Sequence, residues 1–113
     1  MILAVGLDLV EVARIAKAIK NPAFLKRILT EAERESITTP LRIAGRWAAK
    51  EAIAKAVGLH LSWQDVEILP GPSGEPVVSI SHPVWKPDQT KIHLSITHEK
   101  GHAAAVAILE SIS

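Results

Sequence analysis

The sequence predicts an α+β domain, and three observations carry this prediction. One long helix with its own start and stop signals spans Thr39 to Gly58, and apolar residues at helical spacing fill much of the stretch before it. Short strands separated by turn residues follow it. With 113 residues the chain has room for one modest core and is too short for two, so we expect one domain over residues 1–113.

Composition indicates a soluble globular protein. Apolar residues make up 48% of the chain, the net charge is +1, and no apolar run is long enough to span a membrane. The apolar segment 2–9 is short and lacks a basic start, so it does not resemble a secretory signal. The absence of cysteine excludes disulfides, thiolate metal sites and thiol nucleophiles, and it favours a cytoplasmic location.

The first predicted element is a strand from Ile2 to Val10, which is short and apolar. Alternation places its large apolar residues on one face, and these are Leu3, Val5, Leu7 and Leu9. Asp8 falls on the other face, after the small residues Ala4 and Gly6. An aspartate here could cap the following helix or serve as a functional carboxylate, and both interpretations stay open.

Short helices follow the strand. Helical spacing predicts the first over residues 11–20. Asn21 and Pro22 suit the cap and first position of a second helix. Thr30 and Glu33 have capping-box spacing and predict a further helical start.

Five cations without an intervening acid occupy this stretch. They form what we call the basic block: Arg14, Lys17, Lys20, Lys26 and Arg27. Such a run is usually a solvated face, but in a nearly neutral protein it can also steer an acidic partner.

The central helix organises the chain. Thr39 can cap its start, Pro40 suits the first helical position, and Gly58 can take the left-handed stop. Its many alanines make it thin, so other backbones and ligands can approach it closely.

One face of this helix carries Trp47, Glu51 and Lys55 at four-residue spacing. Taken alone, Glu51 and Lys55 read as a solvated ion pair worth about 0.3–0.5 kcal/mol. Asp8 argues for a functional role of this face, because it is a second carboxylate and lies in an apolar segment.

Strands are predicted after the central helix. Segments 63–69 and 77–80 flank a turn at 71–74 and predict a hairpin, and residues 92–97 alternate as a strand. The last run, 103–109, permits helix or strand, and its context favours a strand.

The residues exclude several chemistries. The histidines lack metal-binding spacing, and no serine-hydrolase, P-loop or dinucleotide motif is present. Two carboxylates, Asp8 and Glu51, suit Mg²⁺, which often takes one or two protein carboxylates and completes its shell with water and phosphates. Arg46, Lys50 and Lys55 would then be phosphate partners.

Three segments, in order along the chain, resemble one family. They are Gly6-Leu7-Asp8-Leu9 with Arg14-Ile15, Trp47-Ala48-Ala49-Lys50-Glu51-Ala52 with Lys55-Ala56 and Gly58, and Leu94-Ser95-Ile96-Thr97-His98. Segment 63–68 and the turn 74–76 add to the set, so that the likeness runs over residues 1–109. Together they resemble the holo-acyl-carrier-protein synthases, which are small 4′-phosphopantetheinyl transferases.

The resemblance implies a long helix packed on a small antiparallel sheet, and a homotrimer with active sites between subunits. It also implies a reaction of fatty acid biosynthesis: Mg²⁺-dependent transfer of phosphopantetheine from coenzyme A to a serine of an acyl carrier protein, with release of adenosine 3′,5′-bisphosphate.

The resemblance also assigns residues. Asp8 and Glu51 would hold Mg²⁺ and Lys55 would complete the catalytic set. The coenzyme A phosphates would be contacted by Arg46, Lys50, Lys55 and His98. The basic block and Phe24 would face the acidic carrier protein. The group that takes the serine proton stays open between Glu51, a metal-bound water and a separate acid such as Glu33.

Two features depart from the family pattern. Segment 35–42 is several residues shorter than in many relatives, which affects the loop beside the coenzyme site. Trp47 stands where phenylalanine is usual, a conservative change at a packed aromatic position.

Two alternatives come from other classes. A binding module that uses the basic block on nucleic acid would lack the aromatic interleaving and overall basic charge of such proteins. A trimer that kept the fold and lost the chemistry would have no reason to keep Asp8, Glu51 and Lys55. We therefore expect an enzyme with no nucleic acid or membrane partner.

Overall fold

Five strands and four helices make up the fold in the computed structural model, which describes residues 1–112. The strands are β1 (Ile2–Glu11), β2 (Val66–Pro70), β3 (Pro76–Ile80), β4 (Thr90–Glu99) and β5 (His102–Ser111). The helices are α1 (Val12–Ala18), α2 (Pro22–Ile28), α3 (Glu31–Ser36) and α4 (Pro40–Val57), and a 3₁₀ turn at Trp63–Asp65 precedes β2.

The strands form two antiparallel units. Strands β1, β5 and β4 make one sheet with β5 in the centre, and β2 and β3 make a separate hairpin. Helix α4 packs across the three-stranded sheet and contacts all of its strands. The predicted α+β class, with a long helix on a small antiparallel sheet, is confirmed, as is the strand assignment of the alanine-rich last run.

Small residues allow α4 to lie close to the sheet. A Cβ at Gly6 would overlap the carbonyl oxygen of Ala52, so the strand and helix backbones are nearly in contact there. Buried alanines line both sides of this interface, and they include Ala48, Ala52, Ala103, Ala105 and Ala107. The glycine and alanines thus set the helix-to-sheet distance, and substitution of Gly6 would push α4 away from β1.

The large apolar face of β1 points away from α4. Leu3, Val5, Leu7 and Leu9 are between 50% and 66% exposed. Alternation predicted this grouping correctly, but the core lies on the small-residue side, because only that side admits a helix backbone so closely. The outer face continues onto β5, where Val5 pairs with Ile108 and Leu7 with Val106.

Local signals start and stop the helices where the sequence predicts. The Thr39 side chain accepts from the Arg42 N–H at 3.3 Å, and Gly58 ends α4 in the left-handed region at φ 72°. The capping box of Thr30 and Glu33 is formed. No helix within residues 1–112 is long and apolar enough to cross a membrane.

One of the two open interpretations of Asp8 is wrong. Asp8 was a candidate cap for the first helix, but it lies within β1, and α1 begins after Glu11 without a side-chain cap. The Asp8 carboxylate is therefore left for another role.

Candidate active site

Lys55 joins the central helix to the first strand. Its Nζ donates to the Leu7 carbonyl at 2.9 Å and to Asp8 Oδ1 at 3.3 Å. The Asp8 side chain is 16% exposed and that of Lys55 is 55% exposed, so the pair lies at the surface. The predicted solvated pair of Lys55 with Glu51 does not form, because the strand carboxylate takes the ammonium instead.

Glu51 lies one turn before Lys55 on the same face of α4. It is half-buried, and its side chain makes no hydrogen bond or ion pair with any residue from 1 to 112. It lines a small cavity of about 40 Å³ with Leu61, Ser62 and Trp63 among the other residues. A partly buried carboxylate without a protein partner is a candidate ligand for a cation or a candidate base.

The donor set of this face fits Mg²⁺. Residues 1–112 contain no group of three or more histidine, cysteine, aspartate or glutamate side chains placed to hold a metal ion. Two carboxylates on adjoining elements, Asp8 and Glu51, match the sparse protein coordination of Mg²⁺ in sites where substrate phosphates supply further oxygens.

The prediction that Lys50 contacts a phosphate is contradicted by its burial. Its side chain is 2% exposed, and its Nζ donates to Glu33 Oε1 at 2.6 Å and to the carbonyls of Ile28 and Trp63 at 2.8 and 3.0 Å. Burial lowers the pKa of Lys50, while the hydrogen bond and the charge of Glu33 oppose that shift. All three ammonium donors are used inside the protein.

Glu33 is equally unsuited to act as a general base. Its side chain is fully buried. Besides Lys50, its carboxylate accepts from the Thr30 N–H at 2.8 Å and from the Ile68 N–H at 2.9 Å. A proton acceptor must reach the substrate, and this carboxylate is enclosed and already hydrogen-bonded.

Arg46 and His98 lie together in another cavity, of about 420 Å³. It lies between the start of α4, the β2–β3 hairpin and β4, and none of Asp8, Glu51 and Lys55 lines it. The Arg46 Nε is buried without a hydrogen-bond partner in residues 1–112. Arg46 lines the cavity, and a guanidinium group at a cavity wall can donate to an anion.

The electrostatics of this cavity involve Arg42, which sequence reasoning missed. Burial lowers the pKa of Arg46, Glu33 raises it, and Arg42 lowers it. Arg42 also lines the cavity, together with Ser36 and Ile37 at the short connection between α3 and α4. Its four-residue spacing before Arg46 was the available signal, because it places both guanidinium groups on one helix face.

The basic block is exposed along α1 and α2. All five of its cations are solvent-exposed: Arg14, Lys17, Lys20, Lys26 and Arg27. The Arg14 guanidinium carbon lies 5.6 Å from the centre of the Trp47 ring, which is on the same face of α4 as Glu51. The block therefore adjoins that face.

Phe24 belongs to a packed aromatic group. Its ring centre lies 5.7 Å from that of Trp47, which lies 4.4 Å from that of Trp63. Phe24 is only half-buried, and the Arg27 guanidinium carbon lies 5.9 Å from its ring centre. Phe24 thus packs against Trp47, contacts Arg27 of the basic block, and stays partly accessible.

Comparisons with known proteins show the family of the chain. Residues 4–108 match the family model of the 4′-phosphopantetheinyl transferase superfamily. The chain is 46% identical to a holo-[acyl-carrier-protein] synthase from an Exiguobacterium species, with 97% of this chain and 93% of the relative covered. It is 44% identical to the enzyme of that name from Halalkalibacterium halodurans, with 100% and 99% covered.

Solved structures show the same fold. The crystal structure of a holo-(acyl-carrier-protein) synthase from Bacillus anthracis in complex with CoA (3′,5′-ADP) superposes with a TM-score of 0.85 at 37% identity, and the match covers 98% of each chain. The Helicobacter pylori enzyme in complex with coenzyme A gives a TM-score of 0.82 at 31% identity, with 94% of this chain and 99% of that one covered. The chain is therefore a transferase that belongs to the holo-[acyl-carrier-protein] synthase family of the 4′-phosphopantetheinyl transferase superfamily.

Proposed function

We propose that the protein transfers the 4′-phosphopantetheine group of coenzyme A to a serine of an apo acyl carrier protein and releases adenosine 3′,5′-bisphosphate. The observation that carries this proposal is the arrangement of Asp8, Glu51 and Lys55, which puts two carboxylates and a cation at the junction of β1 and α4. Relatives that match nearly the whole chain and are crystallised with coenzyme A support the same substrate.

Asp8 and Glu51 would hold Mg²⁺ in this reaction. When bound, the ion would neutralise charge on the coenzyme A pyrophosphate. Lys55 is already held beside Asp8 by its bond to the Leu7 carbonyl, so its ammonium needs little reordering to contact a phosphate oxygen. Phosphoryl-type transfer depends chiefly on such positioning and charge neutralisation.

The nucleophile would come from the carrier protein, which agrees with the absence of cysteine in this chain. Of the protein carboxylates considered for the serine proton, Glu51 is the one at the surface cleft, while Glu33 is enclosed. We therefore propose that Glu51, or a water molecule next to it, accepts the proton of the carrier serine.

The Arg46 cavity would bind the other phosphates of coenzyme A. Arg46 and His98 line it with Arg42, and two arginines at its wall support an anionic occupant. Within one chain this cavity is separate from the Asp8–Lys55 pair. A complete site would therefore combine the carboxylates of one copy with the cavity of a neighbouring copy.

Assembly as a homotrimer would cover the outer face of the sheet. Leu3, Val5, Leu7 and Leu9 are half or more exposed, and such a contiguous apolar surface is unusual for a protein that works alone. A closed ring would bury this face and bring two copies together at each site. Light scattering tests this directly: Leu7→Lys should lower the mass to that of a monomer and remove activity, whereas an active wild-type monomer would contradict the shared site.

The basic block would dock the carrier protein. Acyl carrier protein is the substrate named for the relatives, and an acidic surface on it would be attracted to five exposed cations. Because Arg14 lies over Trp47, docking there would present the carrier serine to the face that carries Glu51.

One assay separates this proposal from its alternatives. Apo acyl carrier protein is incubated with the protein, coenzyme A and Mg²⁺, and its mass is measured. Phosphopantetheine added to the carrier serine, only when all components and a divalent ion are present, supports the enzyme. Binding of the carrier without mass change would indicate a non-catalytic trimeric or basic-patch module.

A further inference from the structure

The buried pair of Lys50 and Glu33 is costly for the fold. Lys50 is 3% exposed and Glu33 is fully buried, so both charges lose their hydration. Replacement of such a pair by apolar residues of similar size is often neutral or stabilising. The neighbours of Lys50 on α4, Ala48 and Ala49, are also buried, and an apolar residue at position 50 would suit the same core. Stability alone is therefore a weak reason for the pair.

The hydrogen bonds of the pair join five segments at one point. From α4, Lys50 reaches the last residue of α2 through the Ile28 carbonyl and the 3₁₀ turn through the Trp63 carbonyl. From α3, Glu33 reaches β2 through the Ile68 N–H. Each donor of the ammonium has an acceptor, so the network is satisfied and has one well-defined arrangement.

This network adjoins Glu51, because Lys50 and Glu51 line the same small cavity. Glu51 follows Lys50 in sequence and faces the small cavity that Leu61, Ser62 and Trp63 help to line. The bond from Lys50 to the Trp63 carbonyl at 3.0 Å holds this wall against α4. Loss of the bond would let segment 61–65 and the turn of α4 that carries Glu51 move relative to each other.

We propose that Lys50 and Glu33 are positioning residues for Glu51: their network fixes the α4 turn and the 61–65 segment so that the Glu51 carboxylate keeps the orientation needed for Mg²⁺ and the carrier serine. This inference rests on the proposed phosphopantetheinyl transfer. Both side chains are enclosed by the protein, so they would act through Glu51 rather than on the substrate. Partners that orient a metal-binding carboxylate typically change activity or metal affinity by about 10- to 100-fold when removed.

The test is the double variant Glu33→Leu/Lys50→Met, which removes both charges and keeps an apolar core. The control position is Ile53, which is fully buried in the same helix and outside the network. Ile53→Val and Ile53→Ala are both made, and the one whose melting temperature is nearer to that of the double variant serves as the matched control. All variants are assayed at a temperature at which circular dichroism shows that they are folded. We expect kcat of the double variant to fall by about tenfold or more. We also expect the Mg²⁺ concentration for half-maximal activity to rise, while the carrier KM changes less than about threefold, because the cations of α1 remain.

A second readout does not depend on turnover. Calorimetric titration of Mg²⁺ into each variant with coenzyme A should show weaker metal binding for the double variant than for the Ile53 control. Equal kcat, Mg²⁺ dependence and calorimetric affinity in both would overturn the positioning role and leave a purely structural pair.

Two further arms complete the test. If the double variant does not fold, Glu33→Gln/Lys50→Met replaces it in the same comparison, because it leaves no unpaired buried charge and the glutamine oxygen can still accept from a backbone N–H. Wild-type protein that modifies no carrier would refute the transferase proposal itself, whereas active wild type with unaffected network variants would refute only the positioning role.

Discussion

Lys55 on α4 and Asp8 on β1 are 47 positions apart in the chain, and the Lys55 ammonium lies 3.3 Å from the Asp8 carboxylate. The same ammonium donates to the Leu7 carbonyl, so it is fixed to the strand by two bonds. The contact is possible because Gly6 lets α4 approach β1 almost to backbone contact. The close packing of the core thus brings together the two elements that carry the carboxylates.

Removal of either carboxylate should abolish transfer without unfolding the protein. Glu51→Gln and Asp8→Asn keep size and remove charge. Because removal of outer-shell partners of a metal costs about 10- to 100-fold, loss of a ligand should cost more than about 100-fold in kcat/KM. The Lys55 side of the Lys55–Asp8 pair is 55% exposed, so solvent screens the pair to about 0–1 kcal/mol and melting temperatures should change little. Mass-spectrometric rates and thermal melts measure both, with Glu31→Gln as an exposed control. A folded Glu51→Gln variant with wild-type rate would contradict the metal assignment.

Lys50 and Lys55 should differ sharply in their effect on stability. Lys50→Met leaves the Glu33 charge buried without its ion-pair partner, which should lower the free energy of unfolding by about 3–5 kcal/mol. Lys55→Met removes an exposed ion pair worth at most about 1 kcal/mol. Urea unfolding followed by circular dichroism compares the two variants. If both variants lost a similar free energy of unfolding, the buried Lys50–Glu33 pair would contribute no more to stability than the exposed Lys55 contact.

Two inactive variants should restore activity when they share a trimer. Glu51→Gln lacks the carboxylate and Arg46→Ala lacks the cavity guanidinium. If each site takes the carboxylates from one subunit and the cavity from the next, random association of equal amounts leaves about one quarter of all sites intact. Unfolding and refolding the two proteins together, followed by the carrier assay, should therefore recover about a quarter of wild-type activity. Recovery no greater than the sum of the separate proteins would place the whole site within one chain.

Reversal of a cation in the basic block should weaken docking more than chemistry. Lys20→Glu should raise the KM for the carrier several-fold and change kcat and the KM for coenzyme A little, because exposed charges act mainly on encounter. Salt should weaken wild type more than the variant, since screening acts over roughly 8–10 Å and the variant has less attraction to lose. Lys86→Glu is the matched control, since it makes the same charge change on an exposed residue between β3 and β4. Identical carrier KM values and salt responses for Lys20→Glu and wild type would show that this cation does not contribute to docking.

Glu110 on β5 should titrate at lower pH than an ordinary glutamate. The His93 ring nitrogen lies 2.8 Å from its carboxylate, and this hydrogen bond lowers the pKa of Glu110 below 4.5. A carboxylate with a lowered folded-state pKa contributes stability above its unfolded pKa, and the contribution is lost as pH falls through the folded value. Carbon-detected NMR titration should therefore show the Glu110 midpoint below 4.5, and His93→Ala should raise it toward that value. A midpoint that His93→Ala leaves unchanged would mean that the contact is absent in solution.

The helix limits followed from the sequence because they depend on local chemistry. The Thr39 cap, the left-handed Gly58 and the Thr30–Glu33 capping box each act within a few residues, and all are formed as predicted. The hairpin and the terminal strands were also predictable, since alternation and turn residues are local signals. Asp8, Glu51 and Lys55 were identified as candidates for the same reason, through their strand position and four-residue spacing.

Only the tertiary structure decided which polar groups remain available. Lys50 and Lys55 are both lysines of one helix, yet Lys50 points into a ring of buried acceptors and Lys55 reaches the surface of β1. Sequence spacing gives the helix face of a residue but does not show which elements cover that face, and the long-range partners of Lys50 lie on α2, α3 and the turn before β2. In the same way, the sequence by itself determined that β1 has one face of large apolar side chains and one face of small ones. The close approach of α4 at Gly6 decided that the face with the small side chains is the buried one.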